Sequence, residues 1–486
     1  MSSAAGAAPG RDAEDPGEVA PVGDLAIVLH SHMPYVEGFG TYPFGEEWLF
    51  DAVIRCYAPI TEIAEKLTMT VTPVLADQLE APGVAERLER FLVEYRVASA
   101  EADVGDIEPD CRDACRAEAA RYRRALERLR ALDGDLLGLF AAPAAAGRIE
   151  LLGSAATHAV LPLSATRAGR RLQIDAGLRS HRRRFGEPAG FWLPECAYEP
   201  GLERLLAERE LDCFCVDQSA TEDPLDALAP IATETGPVAL PIDWEAISWL
   251  WSLQGYPSDP VYADFHRKSL RGTRPWSIGG GPYDPIAAEQ RARAQAGEFL
   301  AAAAAKLARF RAERGRAGLL VFAVDTELLG HWWWEGPGWL QQVLAQASAH
   351  GIKTVTAGEA LARHPPQARP LRRSTWGEHK DLSTWDSPEV ADLAWAARRL
   401  ELRLGRALAS GLRGAAAERA TRELLAVQSS DWAFLDRRRQ AGDYPFQRST
   451  DHAQALLEAL DSGSHPPDAR LRNLAPDLEL APLLEP

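Results

Sequence analysis

Two acidic side chains in this sequence stand where chemistry is more expected than packing. Glu195 lies within Trp192-Leu193-Pro194-Glu195-Cys196-Ala197-Tyr198, and Asp325 ends the apolar run Val321-Phe322-Ala323-Val324. A carboxylate so near a buried element is costly unless it is paired or functional, and for Glu195 a structural salt bridge is the competing reading. Two carboxylates at separate strand ends, each with aromatic neighbours, suit the cleavage of a glycosidic bond. One acid protonates the leaving oxygen while the other attacks the anomeric carbon or activates water. The acid must hold its proton more tightly than usual, which a tryptophan-lined, poorly hydrated pocket provides.

Histidines and indoles gather near the same kind of position. His30-Ser31-His32 follows the first apolar run, and histidines two apart on a strand share one face. His158 closes Ala155-Ala156-Thr157-His158, again just after an apolar run. Each histidine alone also fits a hydrogen-bonded structural role at a barrel mouth. After Asp325 come His331, Trp332, Trp333 and Trp334. Adjacent side chains point in different directions, so a core role for all three indoles is not expected and some should line a cleft. Trp376, Trp385, Asp431 and Trp432 mix indoles with polar groups. That mixture fits helix packing or the rim of a sugar-binding cleft.

The elements that must position these groups follow from periodicity. Apolar runs at 25–29, 69–75, 149–153, 190–195, 213–216, 238–242, 317–324 and 352–355 read as strands, with Pro241 suited to an edge or strand end. Helical patterns at 46–66 and 283–314 lie between them, and 388–460 reads as helices. Strands alternating with helices imply parallel pairing, hence an α/β sheet or barrel whose reactive groups collect at the strand ends. Residues 76–140 turn to Ala, Arg, Glu and Leu with no convincing strand, the mark of a helical insertion. The expected organisation is a disordered segment at 1–22, a catalytic barrel at 23–365 with the insertion at about 76–140, and a helical domain at 366–486, its tail from 465 lying on the surface.

Composition narrows the class. The chain has 486 residues, enough for two or three domains, with 46% hydrophobic and 25% charged residues. Fifty-three basic against seventy acidic side chains give a net charge of −17, which argues against a nucleic-acid or anionic-membrane partner. No apolar run is long enough to span a bilayer, and residues 1–22 lack the basic start and apolar centre of a signal peptide. Six cysteines fall in no zinc or CxxC spacing, so reduced structural thiols in a cytoplasmic protein are expected.

Five blocks in order resemble glycoside hydrolase family 57, and within it the glucan branching enzymes: HSHMPYV at 30–36, LLGSAATHAVLPL at 151–163, WLPECAY at 192–198, AVDTELLGHWWWEGP at 323–337 and TWGEHKDLSTW at 375–385. QSSDWAF at 428–434 and GYPSDPVYADFH at 255–266 add to the branching-enzyme likeness. The resemblance implies an α/β fold, an incomplete (β/α)7 barrel with a helical insertion and a helical C-terminal domain. It implies a retaining glucanotransferase that cleaves α-1,4-glucan (glycogen, amylose or a related storage glucan) and moves the segment to a 6-hydroxyl, with no cofactor and no catalytic metal. Glu195 would be the nucleophile and Asp325 the general acid/base. His30, His32, His158, Trp276, His331, Trp332, Trp376, Trp385, Asp431 and Trp432 would bind sugar, with the whole Trp332–Trp334 run among the platforms.

One departure bears on the balance of outcomes. The likeness implies a tyrosine in the loop after the nucleophile strand, shielding the intermediate, and residues 219–236 contain none. Another side chain then covers the intermediate, or hydrolysis takes a larger share. The rival readings are a family amylase or 4-α-glucanotransferase, and a glucan-binding protein with little turnover. A zinc-dependent deacetylase is disfavoured, because His30 and His32 are two apart and no HxxxH occurs.

Overall fold

The computed structural model describes residues 21–462 and 473–484. Ten strands are present among the described residues: β1 Gly23–Ser31, β2 Leu67–Val71, β3 Ile149–Ser154, β4 Phe191–Trp192, β5 Cys213–Asp217, β6 Ile231–Ala232, β7 Val238–Ile242, β8 Gly318–Asp325, β9 Ile352–Val355 and β10 Gln367–Ala368. The expectations for residues 1–20 and 463–472 lie outside the described residues.

β1 is buried along its whole length, as a parallel strand covered on both faces must be. One of its edges carries β8, from Gly23↔Gly318 to His30↔Asp325. Its other edge is shared, by β9 along Gly23–Ala26 and by β2 along Val28–Ser31. From β2 the sheet continues in parallel through β3, β4 and β5 to β7. Across the remaining gap the Asp243 amide donates to Val321 O at 2.8 Å, and the turn Pro224–Leu228 packs on both β7 and β8. Seven parallel strands thus curl into an incomplete barrel. Antiparallel β6 and the short β10 extend its outer edge.

Several element boundaries differ from the sequence expectation. The strand expected at 69–75 stops at Val71, because Thr72 and Pro73 open the helix Pro73–Leu79 and proline is well placed at a first helical turn. The helix from Glu46 ends at Ile63 and contains a π-helical turn, Val53–Tyr57, that brings Tyr57 toward the strand ends. The strand expected at 190–195 is only Phe191–Trp192. It breaks into a single tight turn, Pro194–Cys196, in which Glu195 is left-handed.

Helices Val84–Phe91, Ala98–Asp106, Arg112–Ala131 and Gly138–Ala145 fill the stretch between β2 and β3. Ala391–Ala409, Gly414–Val427, Ser430–Arg438 and Tyr444–Ser462 follow the barrel strands. A cluster of Val160, Ala197, Trp385, Leu393 and Trp432 joins these last helices to the loops after β3 and β4. All six cysteines are buried and free. No helix among the described residues is long and apolar enough to cross a membrane.

Candidate active site

Side chains from the C-terminal ends of the strands converge in one cluster. His30 lies in β1, paired in register with Asp325 at the end of β8. His32 follows β1, His158 lies on the loop after β3, and Glu195 lies on the turn after β4. The His30 and His158 rings are stacked 4.8 Å apart, His32 and His158 4.1 Å apart, and Trp192 lies 4.6 Å from His30.

Two of these positions, and the residue after one of them, are strained. His158, Glu195 and Cys196 have φ of 57°, 61° and 48°, values that side-chain-bearing residues avoid. Each costs on the order of 1–3 kcal/mol and persists only where the surroundings enforce it. Here the enforcing contacts are visible: Trp376 N donates to Glu195 O at 3.0 Å, and Ser430 N donates to His158 O at 3.2 Å. The strained turn takes Glu195 out of the strand's alternation, with its carboxylate toward Trp376 and Ser430.

The two carboxylates meet different surroundings. Trp376 Nε1–H donates to Glu195 Oε2 at 2.8 Å, and the Ser430 hydroxyl donates to Oε1 at 2.8 Å. Burial raises the proton affinity of Glu195, and these two donors counter it. Asp325 begins the turn Thr326–Leu328, yet its side chain does not cap that turn. Burial and the nearby charges of Glu327 and Glu195 push its proton affinity well above the usual carboxylate range. Both carboxylates are raised by burial, Asp325 the further, and the hydrogen bonds from Trp376 and Ser430 favour the anion of Glu195, a separation that suits acid-nucleophile chemistry.

The histidines divide in the same way. Burial acts to discharge His32, but Asp431, Glu327 and Glu195 outweigh it and raise its proton affinity. Both of its nitrogens have partners that accept a proton: Thr72 Oγ1 at 3.0 Å and Asp431 Oδ1 at 3.0 Å. His30 and His158 are pushed well below the usual range, by burial first and by charged His32 second. They are neutral.

Glu327 is a fourth carboxylate in the site, beside Glu195, Asp325 and Asp431. Burial raises it to about 7, against the hydrogen bond from the Tyr57 hydroxyl and the amide of His32 at 3.2 Å. At the neighbouring rim, Lys380 Nζ lies 2.8 Å from Asp217 Oδ2 at the end of β5 and 3.0 Å from the centre of the Trp244 ring.

Glu195, Asp325, His30, His32, His158, Trp376 and Asp431 are therefore brought together. The other residues proposed from sequence divide. Trp332 is exposed, with its ring 4.5 Å from Phe265, and half-buried Trp276 carries Arg267 at 4.3 Å. These indoles and His331 belong to a neighbouring wall built with residues 255–283. His331 is lowered to about 3 by burial and by Arg55. Trp333 and Trp334 are buried, against the expectation that the whole run forms platforms. The turn after β8 folds back, with Gly330 N on Trp333 O at 2.7 Å, and tucks both indoles into the core. Trp432 is also a core residue, with its Nε1–H on Ala426 O at 2.7 Å. Trp385 is buried but lines a small surface pocket that Ser430 also lines.

Sequence reasoning missed Ser430, Trp192, Thr72, Tyr57 and Glu327. Thr72 and Glu327 had a usable signal, since both stand one or two residues beyond a strand end. Ser430 stood inside the QSSDWAF block without being singled out within it, and Tyr57 had no signal, because a helical turn delivers it to the strand ends.

Residues 26–371 match the profile of glycosyl hydrolase family 57, and residues 393–478 match that of the 1,4-alpha-glucan branching enzyme C-terminal region. The chain is 31% identical to a 1,4-alpha-glucan branching enzyme of Thermococcus kodakarensis, over 89% of this chain and 72% of that protein. It is also 31% identical to a probable 1,4-alpha-glucan branching enzyme of Mycobacterium tuberculosis, over 90% and 91%. The crystal structure of a family-57-type branching enzyme from Pyrococcus horikoshii superposes with a TM-score of 0.89 at 29% identity, covering 96% of this chain and 97% of that one.

Proposed function

The chain belongs to glycosyl hydrolase family 57, and from that premise we propose that it is a retaining 1,4-α-glucan branching enzyme. In the first step the Glu195 carboxylate attacks the anomeric carbon of an α-1,4 linkage and Asp325 protonates the leaving 4-oxygen. The cleaved chain end departs and a glycosyl ester of Glu195 remains. In the second step Asp325, now a carboxylate, takes the proton of an acceptor 6-hydroxyl as that oxygen displaces Glu195. One α-1,4 linkage has been exchanged for one α-1,6 linkage, and no water is consumed.

The observation that carries this reading is the unequal treatment of the two carboxylates. Glu195 is held by two hydrogen-bond donors, while Asp325 is left uncapped and pushed toward its protonated form. His32 lies beside the pair with its charge balanced by Asp431, suited to bond a sugar hydroxyl. Trp376, with the wall of Trp276 and Trp332, supplies faces on which sugar rings stack. The physiological glucan is a storage polysaccharide such as glycogen, and the location is cytoplasmic, a reading that the six free cysteines support.

A specific observation adds hydrolysis as a secondary outcome. Residues 219–236, without a tyrosine, are fastened down through Asp223–Arg314, Asp226–Arg369 and Glu222–Arg372 pairs. A segment held against the barrel gap does not close over the intermediate, so water competes with the acceptor hydroxyl.

The test is incubation with amylose followed by enzymatic debranching and chain-length analysis. New α-1,6 linkages together with a measurable release of reducing ends are expected. Linear products alone, with no α-1,6 linkage, would exclude branching.

A further inference from the structure

The Ser430 hydroxyl occupies a position that neither the strand-end pattern nor the carboxylate pair accounts for. It begins the helix Ser430–Arg438, which is outside the barrel, and it is 3% exposed. Its hydroxyl is not used to cap that helix. Instead Ser430 Oγ lies 2.8 Å from Glu195 Oε1 and 2.8 Å from His158 Nδ1, while His158 Nε2 lies 2.9 Å from His30 Nε2. The direct approach of His158 Nδ1 to Glu195 Oε1 is longer, at 3.6 Å. His30 Nδ1, at the far end of the chain, is buried and has no partner.

We propose that Ser430 is a positioning residue for the nucleophile, its single hydroxyl proton fixing the direction of a hydrogen-bond chain that runs from His30 through His158 to Glu195. The inference rests on the reading of Glu195 as nucleophile and adds to it the tautomer of each histidine.

The direction follows from counting protons. An ionised carboxylate only accepts, so Ser430 must donate to Glu195. Its oxygen then accepts from His158, which must carry its proton on Nδ1. A neutral imidazole protonated there has a lone pair on Nε2, so His30 must donate from its own Nε2. The chain ends at His30 Nδ1 as a buried lone pair. The opposite direction would place two acceptors face to face at Ser430 and Glu195 unless Glu195 were protonated. It would also leave an N–H donor of His30 buried without an acceptor, a rarer defect than an unmet lone pair.

Every dipole in this arrangement points its positive end at Glu195, and no member needs a net charge. As the bond from Glu195 to the anomeric carbon breaks in the second step, charge returns to an oxygen whose donors are already aimed. Charged groups around the carboxylate do not duplicate this. His32 attracts it, Asp431 and Asp325 repel it, and neutral His158 reaches it through Ser430. The segment is locked in place by the amide of Ser430 on His158 O and by the bridge between Ala159 and Ser429.

The experiment uses the full chain with amylose as substrate and three variants: Ser430→Ala, Ser430→Thr and Glu195→Gln. Loss of one aimed donor is expected to lower kcat about 10²-fold with little change in KM. It also removes a hydrogen bond that favours the anion, so the acid limb of kcat/KM moves to higher pH. Ser430→Thr keeps the hydroxyl and should keep the limb. In the unmutated protein, ¹⁵N spectra of the imidazoles should show His158 protonated on Nδ1 and His30 on Nε2. The opposite tautomers overturn the proposal, and this readout decides the matter even where Ser430→Ala does not fold. A folded Ser430→Ala with an unmoved limb and a loss under about threefold also overturns it, while Glu195→Gln stays inactive. Turnover by Glu195→Gln would sink the nucleophile assignment instead.

Discussion

Glu195 and Asp325 carry the same formal charge when ionised, yet Glu195 receives hydrogen bonds from Trp376 and Ser430, while burial, Glu327 and Glu195 raise the proton affinity of Asp325 further. Replacing Glu195 by Gln is expected to lower transfer on amylose by about 10³-fold or more, read as linkage formed per unit time. Asp325→Asn should behave differently. Cleavage of amylose falls by on the order of 10²–10⁴-fold, whereas an aryl glucoside whose leaving group needs no protonation still forms the glycosyl-enzyme, seen as a burst of phenol. Glu327 gives a third expectation. Its negative charge strengthens the hold of Asp325 on its proton, so Glu327→Gln weakens that hold. The basic limb of the kcat profile, where the acid is lost, then moves to lower pH. A limb that stays in place or moves upward would show that Glu327 does not act through Asp325.

The strands end in short turns whose conformations are fixed by neighbours, and these neighbours control reactivity. Thr72, which bonds His32, is held where β2 gives way to the helix Pro73–Leu79. The helix Arg167–Phe185 approaches the turn after β3 at Gly177, where an added methyl would overlap the carbonyl oxygen of Ser154 and crowd Ala155 and Ala156. Gly177→Ala therefore pushes the helix and the turn apart. A stability loss of about 1–3 kcal/mol is expected from denaturant unfolding. Because that turn leads directly to His158, kcat should fall as well. Unchanged stability together with unchanged kcat would mean that the turn is held from elsewhere, by the contacts of the 428–430 segment for instance.

The barrel and the helices that follow it form one catalytic unit, since neither contains the whole site. The barrel supplies both carboxylates and all three histidines, and the first turn of the helix Ser430–Arg438 supplies the partners of His158, Glu195 and His32. The apolar contacts of Val160, Ala197, Trp385, Leu393 and Trp432 hold the two together. A chain ending at residue 390 would expose Val160, Ala197 and Trp385 and leave His32 without its counter-ion. Such a chain is expected to associate on gel filtration and to show no branching on amylose. A monomeric, active truncation would contradict a shared site. At the barrel gap the turn Pro224–Leu228 packs on both β7 and β8 where a further strand would close the barrel.

The carboxylates, the histidines at the end of β1 and the alternation of strands with helices were legible in the sequence because each depends on local order: an apolar run, then a polar residue at its end. The same local pattern marked Glu327 and Thr72, though their roles were not drawn from it. It failed for the Trp332–Trp334 run, where the side chains' inward or outward direction depends on how the turn after β8 folds back. It also failed for Trp432, which fits a rim or a core equally well as a sequence. Ser430 lies 235 positions from Glu195, and Asp431 lies 399 from His32. No local pattern specifies such pairs. The sequence alone determined which groups stand at strand ends; tertiary structure decided which of them share a pocket, which indoles stay open and which charges remain, because burial and hydrogen bonding are set by packing between segments distant along the chain.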